Sequence, residues 1–204
     1  NAYCAQLSLD LGWKALRQIS EDFGFNKDFL FPDIKIIKSI LPLTRNTDNE
    51  ELTWSSIGQG KVLATPLHMA LIASSVANEG AMPEPRLIHA VQDRKGNIHL
   101  QPQKKALSYP ITSETAKALT NIMVSTVENG TGNRARIPGM LIAGKTGTAE
   151  ITEEQAPHAW FIGFAPADKP SLAIAIILEN AGTGGGKAAP LAGEILKEAA
   201  RLGY

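Results

Sequence analysis

The sequence predicts an α+β domain in which an antiparallel sheet of three strands packs against helices. Three observations carry that prediction. Up to Gly130, apolar residues recur at helical spacing between capping residues. After Gly139 the period drops toward two, and the apolar runs are joined by connections too short for crossovers. From Pro190 a helical face returns and closes the chain.

The elements follow in order. Asn1 is placed to cap a helix over Ala2–Leu11 that stops at Gly12, and a second helix, Trp13–Phe23, stops at Gly24. Residues 25–60 hold Pro32, Pro42 and polar clusters, which reads as a long surface connection with one short element at 34–40. Thr65-Pro66 opens the next helix, with Thr as N-cap and Pro in the first turn, and the helix runs to Asn78. Arg86–Val91 and Asn97–Gln101 flank the turn residues Asp93–Gly96 and form a hairpin. Thr112 or Ser113 caps a helix whose face carries Ala116, Leu119, Ile122, Met123 and Val127. Strands are predicted at Leu141–Ile151, His158–Phe164 and Ser171–Leu178. Residues 181–187 are Gly-rich and read as a flexible connection. The last helix presents Leu191, Ile195, Leu196 and Ala199 on one face.

Composition removes several function classes. Of 204 residues 44% are hydrophobic, enough for a core, so wholesale disorder is excluded. Twenty Lys and Arg balance twenty Asp and Glu, so no global basic field is available to hold nucleic acid or an anionic membrane. The longest uncharged run, Val62–Asn78, falls short of the roughly 20 apolar residues of a membrane span and reads as a core helix. The single cysteine, Cys4, excludes an intrachain disulfide and reads as a small buried apolar residue. The four histidines show no metal-ligand spacing, so no metal is expected.

The densest chemistry lies at Gly139–Glu150, where two patterns overlap. Gly139-x-x-x-x-Gly144-Lys145-Thr146 matches a phosphate-binding loop literally. Its intervening Met-Leu-Ile-Ala belongs in a core, and the downstream Gly-Thr-Ala-Glu is a poor helix start, so a nucleotide-binding protein is the remote alternative. The second pattern, Lys145-Thr146-Gly147-Thr148, falls on a predicted strand. There Lys145 puts an ammonium into a cleft. Gly147 lets a substrate backbone approach, and Thr146 and Thr148 share a face and can offer two hydroxyls to a carboxylate. The plainer reading of the tetrapeptide alone is an exposed strand lysine among small neighbours. Trp160 and Phe161 read as core or cleft wall, and His158 as a surface strand residue. Gln59 has no role legible from the sequence.

Set among its surroundings, the tetrapeptide is more specific. Val127-x-x-Gly130-Thr131-Gly132 followed by Ala143–Glu150 resembles the transpeptidase domain of penicillin-binding proteins. So do Ile57-Gly58-Gln59-Gly60, Ala64-Thr65-Pro66-Leu67-x-Met69-Ala70, Ala77–Gly80 and Ala159-Trp160-Phe161-x-Gly163–Pro166. Their order is similar to that of the monofunctional, high-molecular-weight (class B) members, and they span nearly the whole chain.

That family carries Ser-x-x-Lys, Ser-x-Asn and Lys-Thr-Gly. Only the third is complete here, at 145–147, since no Ser is followed three residues later by Lys or two residues later by Asn. The resemblance implies that Asn1 is the last residue of Ser-x-Asn. The nucleophile is then expected upstream, and residues 1–204 form the C-terminal portion of one domain of the penicillin-binding and serine β-lactamase-like fold, incomplete at its N-terminus. A first residue other than Met agrees with that expectation.

The implied activity is peptidoglycan D,D-transpeptidation through a serine acyl-enzyme, with no cofactor, and acylation by β-lactams. Asn1 and Lys145 are the implied catalytic residues, while Thr146, Gly147 and Thr148 bind the substrate carboxylate and supply an oxyanion N–H. The implied partners are peptidoglycan stem peptides, β-lactam antibiotics, the upstream remainder of the protein and other proteins of cell-wall synthesis, with no nucleic acid. The implied location is the extracytoplasmic face of a bacterial membrane. A D,D-carboxypeptidase, a β-lactam sensor or a non-catalytic scaffold on the same fold are the alternatives. Taken alone, the chain is expected to bury its sheet poorly and to show no acylation.

Overall fold

A computed structural model of the chain describes residues 1–29, 31, 35–152 and 154–204. Helix α1 (Ala2–Asp22) is interrupted at Gly12 (φ 78°, ψ 161°), so the two predicted helices stand end to end. Asn1 occupies the N-cap position, but its side chain makes no capping bond. Cys4 is exposed, against expectation, because the first half of α1 lies on the surface with Tyr3 and Leu11 also turned to solvent.

The stretch read as a surface connection holds a helix, α2 (Asn49–Ser56), capped by Asp48, whose carboxylate accepts the Glu51 N–H at 2.8 Å. Its buried face has only Leu52 and Ser55, too little for a periodic signal. Of the element expected at 34–40, residue 34 lies outside the described residues, and Ile40 forms an isolated antiparallel bridge with Leu63. Helix α3 (Pro66–Ala77) starts as predicted, with the Thr65 hydroxyl accepting the His68 N–H. The wholly buried ring of His68 packs against Phe25 and Phe29 at 4.9 and 5.3 Å. A carbonyl can only accept, so Nε2 carries the proton and donates to the Phe23 C=O at 2.9 Å. Burial lowers the His68 pKa, against the raising effect of that bond.

Strands β1 (Met82–Pro83) and β4 (Ala106–Ser108) pair on either side, in sequence, of a second ribbon of β2 (Val91–Gln92) and β3 (Ile98–Leu100). The predicted hairpin is therefore present but shorter, and the pairing that brackets it went unread. Helix α4 (Ser113–Asn129) is capped by Thr112 and buries Ala116, Met123 and Val127, whereas Ile122 is 63% exposed.

The main sheet comprises β5 (Ala143–Ala149), β6 (His158–Ala165) and β7 (Leu172–Leu178), antiparallel and in that order. Lys145 pairs with Ile162, Thr146 with Phe161, Gly147 with Trp160 and Thr148 with Ala159. A π-helical turn, Gly184–Ala188, leads into α5 (Ala189–Arg201). Here Ala192, Gly193 and Leu196 are buried while Ile195 is 43% exposed, so the inward face is smaller-featured and rotated from the predicted one. Residues alternate between faces of a strand, so Thr146, Thr148, Phe161 and Ile176 share one face, with Ala189, Ala192 and Leu196 in the same core cluster. On the opposite face Ala143 and Phe164 cluster with Val76 of α3 and Met123 of α4. Beyond that cluster Trp160, Ile162 and Ile177 are only half-buried. The expected poor burial of the sheet thus applies to part of one face. Among the described residues no helix is long and apolar enough to cross a membrane.

Candidate active site

Strand β5 is at the edge of its sheet, with β6 on one side only. In an antiparallel strand the N–H and C=O of one residue point the same way and alternate from residue to residue. The Thr148 C=O and the Glu150 N–H both bond to the Gln59 side chain, away from β6. By alternation, Thr146 and Thr148 direct their backbone groups to the same open edge.

That edge borders a cleft of about 470 Å³ lined by Lys145–Ala149, His158, Trp160, Ile162 and Ile177 of the sheet, facing Ile57, Gly58, Val62–Ala64 and Met69. Among the described residues Lys145 is the one in this lining with a permanent charge; it is exposed, and its ammonium donates to the Thr146 C=O. An anion entering this cleft is drawn to that charge. The Thr146 hydroxyl is nearly buried and shares a 2.7 Å hydrogen bond with the Thr131 hydroxyl. The Thr148 hydroxyl accepts the Gly184 N–H at 3.3 Å.

The Gly-rich segment is thus a fitted support beneath the strand. A Cβ on Gly184 would stand 2.3 Å from the carbonyl oxygens of both Gly147 and Trp160, a contact no side chain tolerates. Gly147 is also constrained from the other face, where a Cβ would meet the Trp160 Cβ at 3.1 Å.

The structure brings Lys145, Thr146, Gly147 and Thr148 together, and Asn1 is not in the cleft lining; it stands exposed at the head of α1. Trp160 forms cleft wall and Phe161 core, as read. His158 is at the rim rather than on a plain surface, with Nδ1 accepting the Asn180 N–H at 3.0 Å. Lys145 stands inside a strand that runs to Ala149 with no helix directly after it, which excludes the phosphate-loop geometry. Thr131 and Gln59 were missed as site residues. Both lie in stretches quoted for the family resemblance, but nothing local ties either to a strand at least 15 positions away.

The penicillin-binding protein transpeptidase domain family matches residues 1–197, and the chain belongs to it. Its fold is that of class B penicillin-binding transpeptidases. It is 34% identical to the peptidoglycan D,D-transpeptidase PbpA of Mycobacterium tuberculosis, over 98% of this chain and 42% of the relative. Against the peptidoglycan D,D-transpeptidase MrdA of Acinetobacter baumannii the figure is 39%, over 67% of this chain and 22% of the relative. Among solved structures, the D,D-transpeptidase domain of a peptidoglycan glycosyltransferase from Eggerthella lenta superposes with a TM-score of 0.88 at 31% identity, over 98% of this chain and 51% of that one. Penicillin-binding protein A of M. tuberculosis, as a ceftriaxone acyl-enzyme complex, gives 0.84 at 32% identity, over 95% and 44%. The chain spans less than half the length of the curated relatives it matches.

Proposed function

We propose that the full-length protein is a peptidoglycan D,D-transpeptidase acting through a serine acyl-enzyme, and that residues 1–204 supply the substrate-binding half of its active site. The observation that carries this reading is the open β5 edge, where Lys145, Thr146, Gly147 and Thr148 border one cleft. The relatives named D,D-transpeptidases and the β-lactam acyl-enzyme structure add support.

In this mechanism a serine outside residues 1–204 attacks the carbonyl of the penultimate D-alanine of a stem peptide. Its proton passes to a lysine of its own motif. The Thr148 N–H, with the N–H of the nucleophile, stabilises the oxyanion; one such donor contributes about 2.7–4 kcal/mol. The C–N bond breaks, the proton returns to the leaving amine and D-alanine departs. The amine of a neighbouring stem then attacks the acyl-enzyme, completing the cross-link and regenerating the serine. Lys145 draws in the terminal carboxylate and supports the proton transfers, and the hydroxyls of Thr146 and Thr148 bind that carboxylate. Asn1 is the amide that contacts the substrate backbone, as the last residue of a Ser-x-Asn motif. The substrate and the cross-links belong outside the cytoplasm, and so does this domain.

The test is labelling of the full-length protein with a fluorescent penicillin, followed by mapping of the adduct. One acylated serine outside residues 1–204 is expected. Absence of any covalent adduct, or an adduct within 1–204, contradicts the proposal.

A further inference from the structure

Past the end of β7 the chain is turned beneath the sheet, and the His158 ring sits at the point where it leaves. Carried on from Ala159 opposite Leu178, the register sets Asn180 opposite Pro157. The Pro157 C=O is taken by the Gly182 N–H at 3.0 Å, two residues further along. The Asn180 N–H goes to the His158 ring, where Nδ1 accepts it at 3.0 Å. An imidazole nitrogen that accepts carries no proton, so Nε2 holds the ring proton. Asn180 has a φ of 52°, in the left-handed region that asparagine tolerates better than most residues, and this bends the chain out of the strand.

Further on, the same turn reaches the cleft from below. Gly184 is buried against the carbonyl oxygens of Gly147 and Trp160, and its N–H donates to the Thr148 hydroxyl. A hydroxyl has one proton and two lone pairs, so a Thr148 oxygen that accepts from Gly184 keeps its own proton to give. The direction of that proton depends on where Gly184 is held. The turn does little to hold itself to the sheet: Ala181 and Gly182 carry no polar side chain, and the Thr183 hydroxyl is engaged within the turn, accepting the Gly186 N–H at 3.2 Å. Of the two bonds at its entry, on Pro157 and His158, only the second uses a side chain.

We infer that His158 is a positioning residue: its Nδ1 seats the turn from which the Gly184 N–H orients the Thr148 hydroxyl toward the substrate carboxylate. This rests on the transpeptidase reading. His158 acts through the turn and not on the reacting atoms. Its loss is therefore felt by donors that carry the carboxylate and spares those that lack it.

The experiment measures kcat/KM of the full-length protein for two N-acetyl-D-alanyl thioesters. One is the thioglycolate, whose carboxylate stands in for that of the terminal D-alanine; the other is the S-ethyl thioester, which has none. His158→Phe keeps a ring and loses the acceptor. His158→Asn loses the ring and keeps an acceptor, since Oδ1 is bonded to Cγ as Nδ1 is. The phenylalanine variant is expected to lower the thioglycolate-to-S-ethyl ratio about three- to tenfold, the factor corresponding to one net hydrogen bond, and the asparagine variant to stay within about twofold of wild type. His158→Ala should match the phenylalanine variant, and it decides the matter if the larger ring prevents folding. Equal losses on both donors, an unchanged ratio, or an asparagine variant as impaired as the phenylalanine one would mean that His158 only packs the rim, and would overturn the inference while leaving the transpeptidase reading intact. A wild-type protein that turns over neither thioester sinks that reading, and the positioning role with it.

Discussion

Thr146 presents a hydroxyl at the cleft under restraint, since Thr131 shares its 2.7 Å hydrogen bond from the turn after α4. This bond fixes the rotamer before any ligand arrives, and preorganised polar groups cost the least when charge must be bound. Thr131→Val keeps the shape and removes the hydroxyl. It is expected to slow penicillin acylation of the full-length protein about fivefold, the size of one neutral hydrogen bond, and Thr131→Ser should restore most of the rate. Stopped-flow acylation kinetics check both. The residues proposed to act on substrate stand out in the sequence because Lys-Thr-Gly-Thr is contiguous and its spacing has a chemical meaning. Thr131 and Gln59 do not, because their partners are supplied by folding: residue separations of 15 and 89 carry no local periodicity.

At the scale of elements, the well-capped segments were readable and the weakly amphipathic ones were not. Helices α3 and α4 start where Thr65 and Thr112 cap them. The sequence signals of helix α2 are only Asp48 and its first-turn carboxylates, Glu50 and Glu51, which are equally compatible with loop polarity. It is nonetheless the element that carries Gln59. Helix α3 has a pH-dependent anchor in His68, whose lowered pKa keeps the folded ring neutral. As pH falls through the ordinary histidine value of about 6.5, the unfolded chain takes up a proton that the folded one refuses, so this contribution is complete above that value and declines below it. Denaturation midpoints measured between about pH 7.5 and 5.5 should fall with pH in the wild type, and His68→Gln should flatten the slope.

Across the whole molecule, zero net charge and a single cleft cation among the described residues make one argument. In the proposed mechanism a substrate anion is met by placed charge at Lys145 rather than by a basic surface. The α+β order of helices, antiparallel sheet and closing helix was legible in outline, though not α2 or the β1–β4 pairing, because the change of period near Gly139 is sharp and the strand connections are short. What could not be read was which sheet face closes and how far: α5 and the Gly-rich turn pack small residues under β5 and β6, and packing of alanines and glycines leaves little hydrophobic pattern. The central claim is that the β5 edge, with Lys145 upon it, serves acyl transfer from D-alanyl-D-alanine to an amine. The most direct measurement incubates full-length wild type and Lys145→Ala with a stem pentapeptide and an acceptor amine, and quantifies cross-linked product and released D-alanine by mass spectrometry. The account predicts a cross-linked product matched by D-alanine in the wild type and a loss of about 100-fold or more in the variant. Equal cross-linking by the two proteins, or D-alanine release giving only the free acid, would contradict it.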